Sequence, residues 1–338
     1  MEMNFFTPYP LLIRYTFSMS VNGIKSDEPR VLFRALKQSV ESVFVGKGEQ
    51  IELILIGFLA GLHVLLEDIP GVGKTTLAMA LAKSSGLDFG RMQFTPDLLP
   101  GDIIGMTVYE PERREFVFKP GAVMHQFVLA DEINRASERT QAALLEAMAE
   151  GAVSVDGRTY RLPEPFFVMA TQNPASFAGT FLLPESQCDR FGLSLSLGYP
   201  ALAEEATILR RFKEENPLRE LRAVSGPEAV LAVRRLVRSV IVEEKVEGFL
   251  LRIVHDTRDD AAVKLGVSPR GTQQLFLAAQ TRAALQGRDF VIPEDVIELA
   301  PFVLAHRIQL SGETKLQKKP AGDVVRQLVD RIPIPAGT

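Results

Sequence analysis

The stretch LLEDIPGVGKTTLA, residues 65 to 78, constrains this chain more than any other. A short apolar run, the loop Pro-Gly-Val-Gly-Lys-Thr and the helical run TLAMALAKSSG follow one another, the strand, loop and helix order that a phosphate-binding loop requires. Small residues let backbone N–H groups close around phosphate oxygens at a helix start, where the helix dipole also favours an anion. Pro70, Gly71, Val72, Gly73, Lys74, Thr75 and Thr76 then line the phosphates of a nucleotide, with Lys74 neutralising the β and γ groups and Thr75 ligating Mg2+. The usual pattern G-x-x-x-x-G-K-[ST] wants a glycine where this chain has Asp68. That position mainly starts the loop and Asp tolerates unusual backbone angles, so Asp68→Gly is expected to leave nucleotide binding nearly unchanged.

A phosphate loop sits on a parallel sheet, and four further apolar runs supply candidate strands: DFGRMQFT, QFVLADE, FFVMATQNP and LSLSLGYP. Helical spacing between them predicts a doubly wound α/β domain over residues 28 to 199. Two stretches break the rhythm. GMTVYEPERREFVFKPG alternates apolar and polar residues around a turn, and AVSVDGRTYRL carries Asp156-Gly157, so hairpins are expected at about 102–120 and 152–162. From residue 200 the spacing is almost wholly helical, which predicts a helical domain over 200–310 and a C-terminal segment over 311–338.

In a doubly wound sheet the C-terminal strand tips converge on the ligand crevice. Asp131, ending FVLAD, can hold Mg2+ through water, and Glu132 can polarise an attacking water. Asn173, after FVMATQ, can hold that water or the γ-phosphate. Arg190 in PESQCDRFG and Arg270 in SPRGTQQ are candidate phosphate sensors because arginine offers a rigid fork of donors. Read singly, the two acids could merely open a loop, Asn173 could be a turn residue, and each arginine could serve a surface ion pair.

Acidic residues outnumber basic ones 42 to 38, so no chain-wide electrostatic grip on nucleic acid or an anionic membrane is expected. Cys188 is the single cysteine, which excludes an internal disulfide and fits a reducing cytoplasm. The most apolar stretch, IELILIGFLAGLHVLLE, is interrupted by Gly57, Gly61 and His63 and predicts no membrane insertion. Residues 1–27 read as an N-terminal extension, with Met19 an alternative start. The four histidines are scattered, and none is assigned to a metal.

Taken together, EDIPGVGKTTLA, FVLADEINRAS, MATQNP, LPESQCDRF and SPRG resemble the AAA+ ATPases, specifically the MoxR family, over about residues 30 to 310. The resemblance implies a P-loop αβα sandwich followed by an all-helical lid, binding ATP and Mg2+. It implies Walker A at Gly71 to Thr75, Walker B at Asp131 and Glu132, sensor 1 at Asn173, an arginine finger at Arg190 and sensor 2 at Arg270. It places adenine against Val45 and Gly46, and makes the hairpins the helix-2 insert and the pre-sensor-1 hairpin. A homo-oligomeric ring, usually a hexamer, completes hydrolysis through the neighbour's finger. Relatives act as chaperone-like remodellers in maturation of client protein complexes, often with a separate von Willebrand A domain partner. The same motifs would serve the motor subunit of a magnesium-chelatase-like metal insertase; an AAA+ nucleic-acid motor is disfavoured by the acidic balance. A small-molecule kinase fits less well still, because Arg190 and a helical lid stand where it needs an acceptor pocket. One departure is GAVM at 121–124, where the family often reads Gly-Pro-Ile-Phe; it bears on client contacts more than on hydrolysis.

Overall fold

The computed structural model describes residues 20–21, 24–25, 29–173, 183–212 and 217–335. The status of residues 1 to 18 therefore lies outside the described residues. Five strands form one parallel sheet: β1 (Val64–Glu67), β2 (Phe89–Gln93), β3 (Phe127–Asp131), β4 (Phe167–Gln172) and β5 (Leu193–Leu195), in the order β5-β1-β4-β3-β2. Every pairing is parallel.

The inner strands explain their own sequences. All five residues of β3 are buried, because helices cover both faces of the sheet, and such a strand reads as a continuous apolar run. Successive side chains still alternate. Phe127 and Leu129 face the core that holds helices α1 (Pro29–Val43), α2 (Gly48–Ala60) and α3 (Lys74–Ser85), while Val128 and Ala130 face α4 (Glu138–Glu150). Phe58, Phe127 and Phe167 meet under the sheet with ring centroids 5.0 to 6.3 Å apart. β2 is one of the two edge strands, with β5 at the other edge. Gly90 and Met92 are buried, and Arg91 and Gln93 point to the open side.

Local signals place the helix ends. Ser137 accepts the amide of Thr140 at 3.3 Å to start α4, and Gly151 stops it in the left-handed conformation. Both hairpins form, Gly105–Glu110 with Glu115–Pro120 and Ala152–Val155 with Arg158–Arg161. Asp156 and Gly157 both take positive φ, as a tight two-residue hairpin turn demands. Phe118 of one hairpin stacks on Tyr160 of the other at 3.8 Å and 11°, so the two form one plate.

A helical lid follows: α5 (Leu202–Phe212), α6 (Pro227–Val237), α7 (Glu244–Asp259), α8 (Pro269–Leu285), α9 (Pro293–Leu304) and α10 (Ala321–Asp330). α10 buries Val324, Val325, Leu328 and Val329 in the same core, so helical packing continues beyond residue 310. A two-stranded pair, Val263–Leu265 with Gln309–Leu310, also lies within the lid; strands this short leave no periodicity to read. Arg234 of α6 pins lid to sheet, donating to the Phe58 carbonyl at 2.9 and 3.2 Å and to the Phe166 carbonyl at 3.4 Å. Burial pushes its pKa down to about 10, which leaves it charged at neutral pH. Among the described residues no helix is long and apolar enough to cross a membrane.

Candidate functional site

The phosphate loop joins β1 to α3. Gly71 and Gly73 take φ of 89° and 91°, a backbone that side-chain-bearing residues rarely adopt. A Cβ on Gly73 would also stand 2.9 Å from the Phe44 ring, whereas Gly71 opens onto free space. Lys74 is buried at the start of α3 and donates from Nζ to the Asp68 carbonyl at 2.8 Å. Burial lowers its pKa, opposed by the charges of Asp68, Asp131 and Glu132, which share its surroundings. Thr75 follows at the next position of α3, half-buried.

Asp68 is not loop filler. Its side chain turns away from the loop and accepts Ser196 Oγ at 2.7 Å, the Leu197 amide at 2.7 Å and the Gly198 amide at 3.0 Å. It is 4% exposed. The carboxylate therefore clamps the chain leaving β5 to the start of the phosphate loop, a structural role that the sequence-based reading of this position did not include. Asp68→Gly strands two backbone donors, and each unpaired buried donor costs about 1–3 kcal/mol. The expected result is a loss of about 2–5 kcal/mol in denaturant unfolding, with a milder loss for Asp68→Asn; an unchanged midpoint for Asp68→Gly would refute the clamp.

The two acids end β3. Asp131 Oδ1 accepts Thr171 Oγ1 at 2.7 Å, and Oδ2 accepts Arg91 Nη2 at 2.8 Å. Thr171 also takes the Glu132 amide at 2.8 Å, so one β4 hydroxyl fixes the position of both acids. Glu132 sits at φ 56°, a strained conformation for a non-glycine residue, which turns its side chain out of the strand direction. Its Oε1 accepts Asn173 Nδ2 at 3.1 Å, while Oε2 accepts Gln93 Nε2 at 3.2 Å and Arg135 Nη1 at 2.9 Å.

Asn173 is in turn held by Asn134. The Asn134 amide donates to the Asn173 carbonyl at 3.0 Å, and its Oδ1 accepts the Asn173 amide at 3.3 Å. Asn173 Oδ1 is buried with no partner among the described residues. An unpaired acceptor beside Glu132 fits a water or a phosphate-bound water, and the glycine cradle with its buried cation fits a nucleotide's phosphates. Thr75 and Asp131 supply the hard oxygen donors that Mg2+ prefers.

A cavity of about 460 Å³ adjoins the loop, lined on the sheet side by Phe44, Val45, Lys47 and Val72 and on the lid side by Ile208 and Arg211. Gly46 takes φ of 75°, a backbone that side-chain-bearing residues rarely adopt, and lies beside the Glu204 carboxylate. The lid-side lining was not read from the sequence, since nothing in α5 marks it. Arg211 ties that helix to α1 through the Ser42 and Val43 carbonyls at 2.9 and 3.3 Å.

Arg190 is half-buried and Arg270 exposed in the first turn of α8, and neither makes a hydrogen bond or ion pair to Lys74, Asp131, Glu132 or Asn173 among the described residues. Their neighbours do meet. Asp189 accepts Ser268 Oγ at 2.8 and 3.0 Å, and Ser268 caps α8 through the Gly271 amide at 3.2 Å. Arg307, 1% exposed at its side chain, donates to Asp189 at 3.1 Å and to the carbonyls of Phe191 and Gly192.

A phosphate cradle at β1, an acid pair at β3 and an amide at β4, under a helical lid, define a P-loop ATPase of the AAA+ class. Two family models match: the ATPase family associated with various cellular activities over residues 63–193, and the AAA lid domain over residues 255–328. The chain is 38% identical over 317 residues to the chaperone MoxR1 of Mycobacterium tuberculosis, covering 91% of this chain and 83% of that one. It is 47% identical over 298 residues to protein YeaC of Bacillus subtilis, covering 88% and 93%. A solved structure of a candidate ATPase from Cytophaga hutchinsonii superposes with a TM-score of 0.85 at 36% identity, covering 92% of this chain and 97% of that one. This chain belongs to the MoxR family of AAA+ ATPases.

Proposed function

We propose that this ATPase works as a homo-oligomeric ring, a hexamer, in the cytoplasm, and remodels a client protein complex together with a separate von Willebrand A domain protein. The observation that carries the catalytic part is the cluster of Asp131, Glu132 and Asn173 at adjacent strand tips, linked by hydrogen bonds. The resemblance to chaperone MoxR1 supports the remodelling part.

In this reading Gly71 to Thr76 bind the phosphates, Lys74 neutralises them, and Val45 and Gly46 receive the adenine. Mg2+, held through Thr75 and Asp131, supplies charge neutralisation on the phosphates. Asn173 orients the attacking water through its unpaired Oδ1. Glu132 accepts that water's proton as its oxygen bonds to the γ-phosphorus and the β–γ bridging oxygen leaves with the bond electrons. Arg190 reaches the γ-phosphate of the adjoining subunit, and Arg270 reads the nucleotide from the lid.

Turnover per protomer should therefore rise with protein concentration as subunits associate. Arg190→Ala should lower it by roughly 10³-fold with nucleotide binding retained, the lower end of what a finger supplied in trans contributes in GTPases. Steady-state phosphate release across a dilution series checks both. A fast, concentration-independent rate would overturn the ring mechanism. Co-purification with Glu132→Gln in ATP then identifies the partner.

A further inference from the structure

The metal-side acid is already occupied by a cation of the protein's own. Asp131 has one carboxylate oxygen committed to the Thr171 hydroxyl at 2.7 Å, and its other oxygen, Oδ2, accepts Arg91 Nη2 at 2.8 Å. The Asp131 side chain is 11% exposed, so Oδ2 is the oxygen through which it can reach an ion, and Arg91 stands there. Arg91 itself is half exposed, 49% at its side chain, on the open side of the edge strand β2. It can leave without disturbing the core.

We propose that Arg91 is a positioning residue that stands in for the divalent cation at Asp131 and is displaced when the metal–nucleotide complex binds. This rests on the reading of Asp131 as the metal-side acid. A divalent cation held at Asp131 through water and the Arg91 guanidinium on the same carboxylate would stand close enough to repel each other, so metal entry and the Arg91 contact compete. The pairing, with the Thr171 hydroxyl on the other oxygen, also holds the Asp131 carboxylate aimed before the metal arrives.

Arg91 does a second thing from the same nitrogen. Its Nη2 donates to Gln93 Oε1 at 3.2 Å, and Gln93 then has only its amide left to offer Glu132, at 3.2 Å. Displacing Arg91 removes the contact that orients Gln93. Metal loading is thereby linked to loosening of one of the donors on the general base.

The test uses Mn2+ as the metal probe with the full chain and a nonhydrolysable ATP analogue, free Mn2+ being counted by electron paramagnetic resonance. Arg91→Ala should bind Mn2+ roughly two- to fivefold more tightly than wild type, the range a partly exposed ion pair supports. Arg135→Gln removes a nearby cation that pairs with Glu132 rather than Asp131, and should shift Mn2+ affinity less. Arg91→Gln serves where the alanine variant folds poorly, with the same expected direction. Mn2+ binding that is unchanged or weaker in the Arg91 variants, or strengthened equally by Arg135→Gln, would overturn the inference while leaving the ATPase reading intact. Wild-type protein unable to bind the Mn2+ analogue complex would overturn both.

Discussion

Replacing Lys74 by alanine should abolish ATP binding. The ammonium is buried beside the phosphate cradle and faces Asp68, Asp131 and Glu132, so in this structure it is a cation held ready in a negative field. Removing one partner of a desolvated charge pair costs about 2–5 kcal/mol, a loss in affinity of roughly thirtyfold to several thousandfold. Titration of a fluorescent ATP analogue reads this directly. Thermal melting should stay near wild type, since among the described residues the one hydrogen bond the Lys74 side chain makes is to the Asp68 carbonyl. Retained affinity in Lys74→Ala would remove the cradle from the mechanism.

Glu132→Gln should bind ATP and fail to hydrolyse it. Loss of a general base lowers rate by roughly 10²- to 10⁴-fold, and single-turnover phosphate release in the presence of a normal binding isotherm separates the two steps. The geometry adds a detail. Both Glu132 oxygens face donors, Asn173 Nδ2 on one side and Gln93 Nε2 with Arg135 Nη1 on the other. A glutamine amide must set its own NH2 against one of those sets, so the variant is expected to rearrange locally around Gln93 or Asn173. A Glu132→Gln enzyme with wild-type turnover would show that another group takes the proton.

The parts of this architecture that were legible in sequence are those written within a single segment. The glycines and lysine of the loop, the buried β3 run ending in two acids and the Asp156-Gly157 turn each carry their physics in adjacent residues. The network that holds them is written between segments. Thr171 fixes Asp131 and Glu132 from the neighbouring strand, Asn134 holds the Asn173 backbone, and Arg91 and Gln93 reach both acids from β2. On their own strands these are ordinary polar residues of an edge or a strand tip, and no local pattern distinguishes them. The clamp made by Asp68 was missed for the same reason. Its partners, Ser196 to Gly198, lie far along the chain, and only the β5-β1 pairing brings them within reach.

Asp189 gives the lid a mechanical linkage. It holds the cap of α8 through Ser268 and the buried Arg307 side chain at once, while Arg307 grips the carbonyls of the next residues along. A swing of α8 must either tear these contacts or drag the backbone carrying Arg190 with it. In the proposed ring, the arginine read as a finger would then move with the lid helix rather than independently of it.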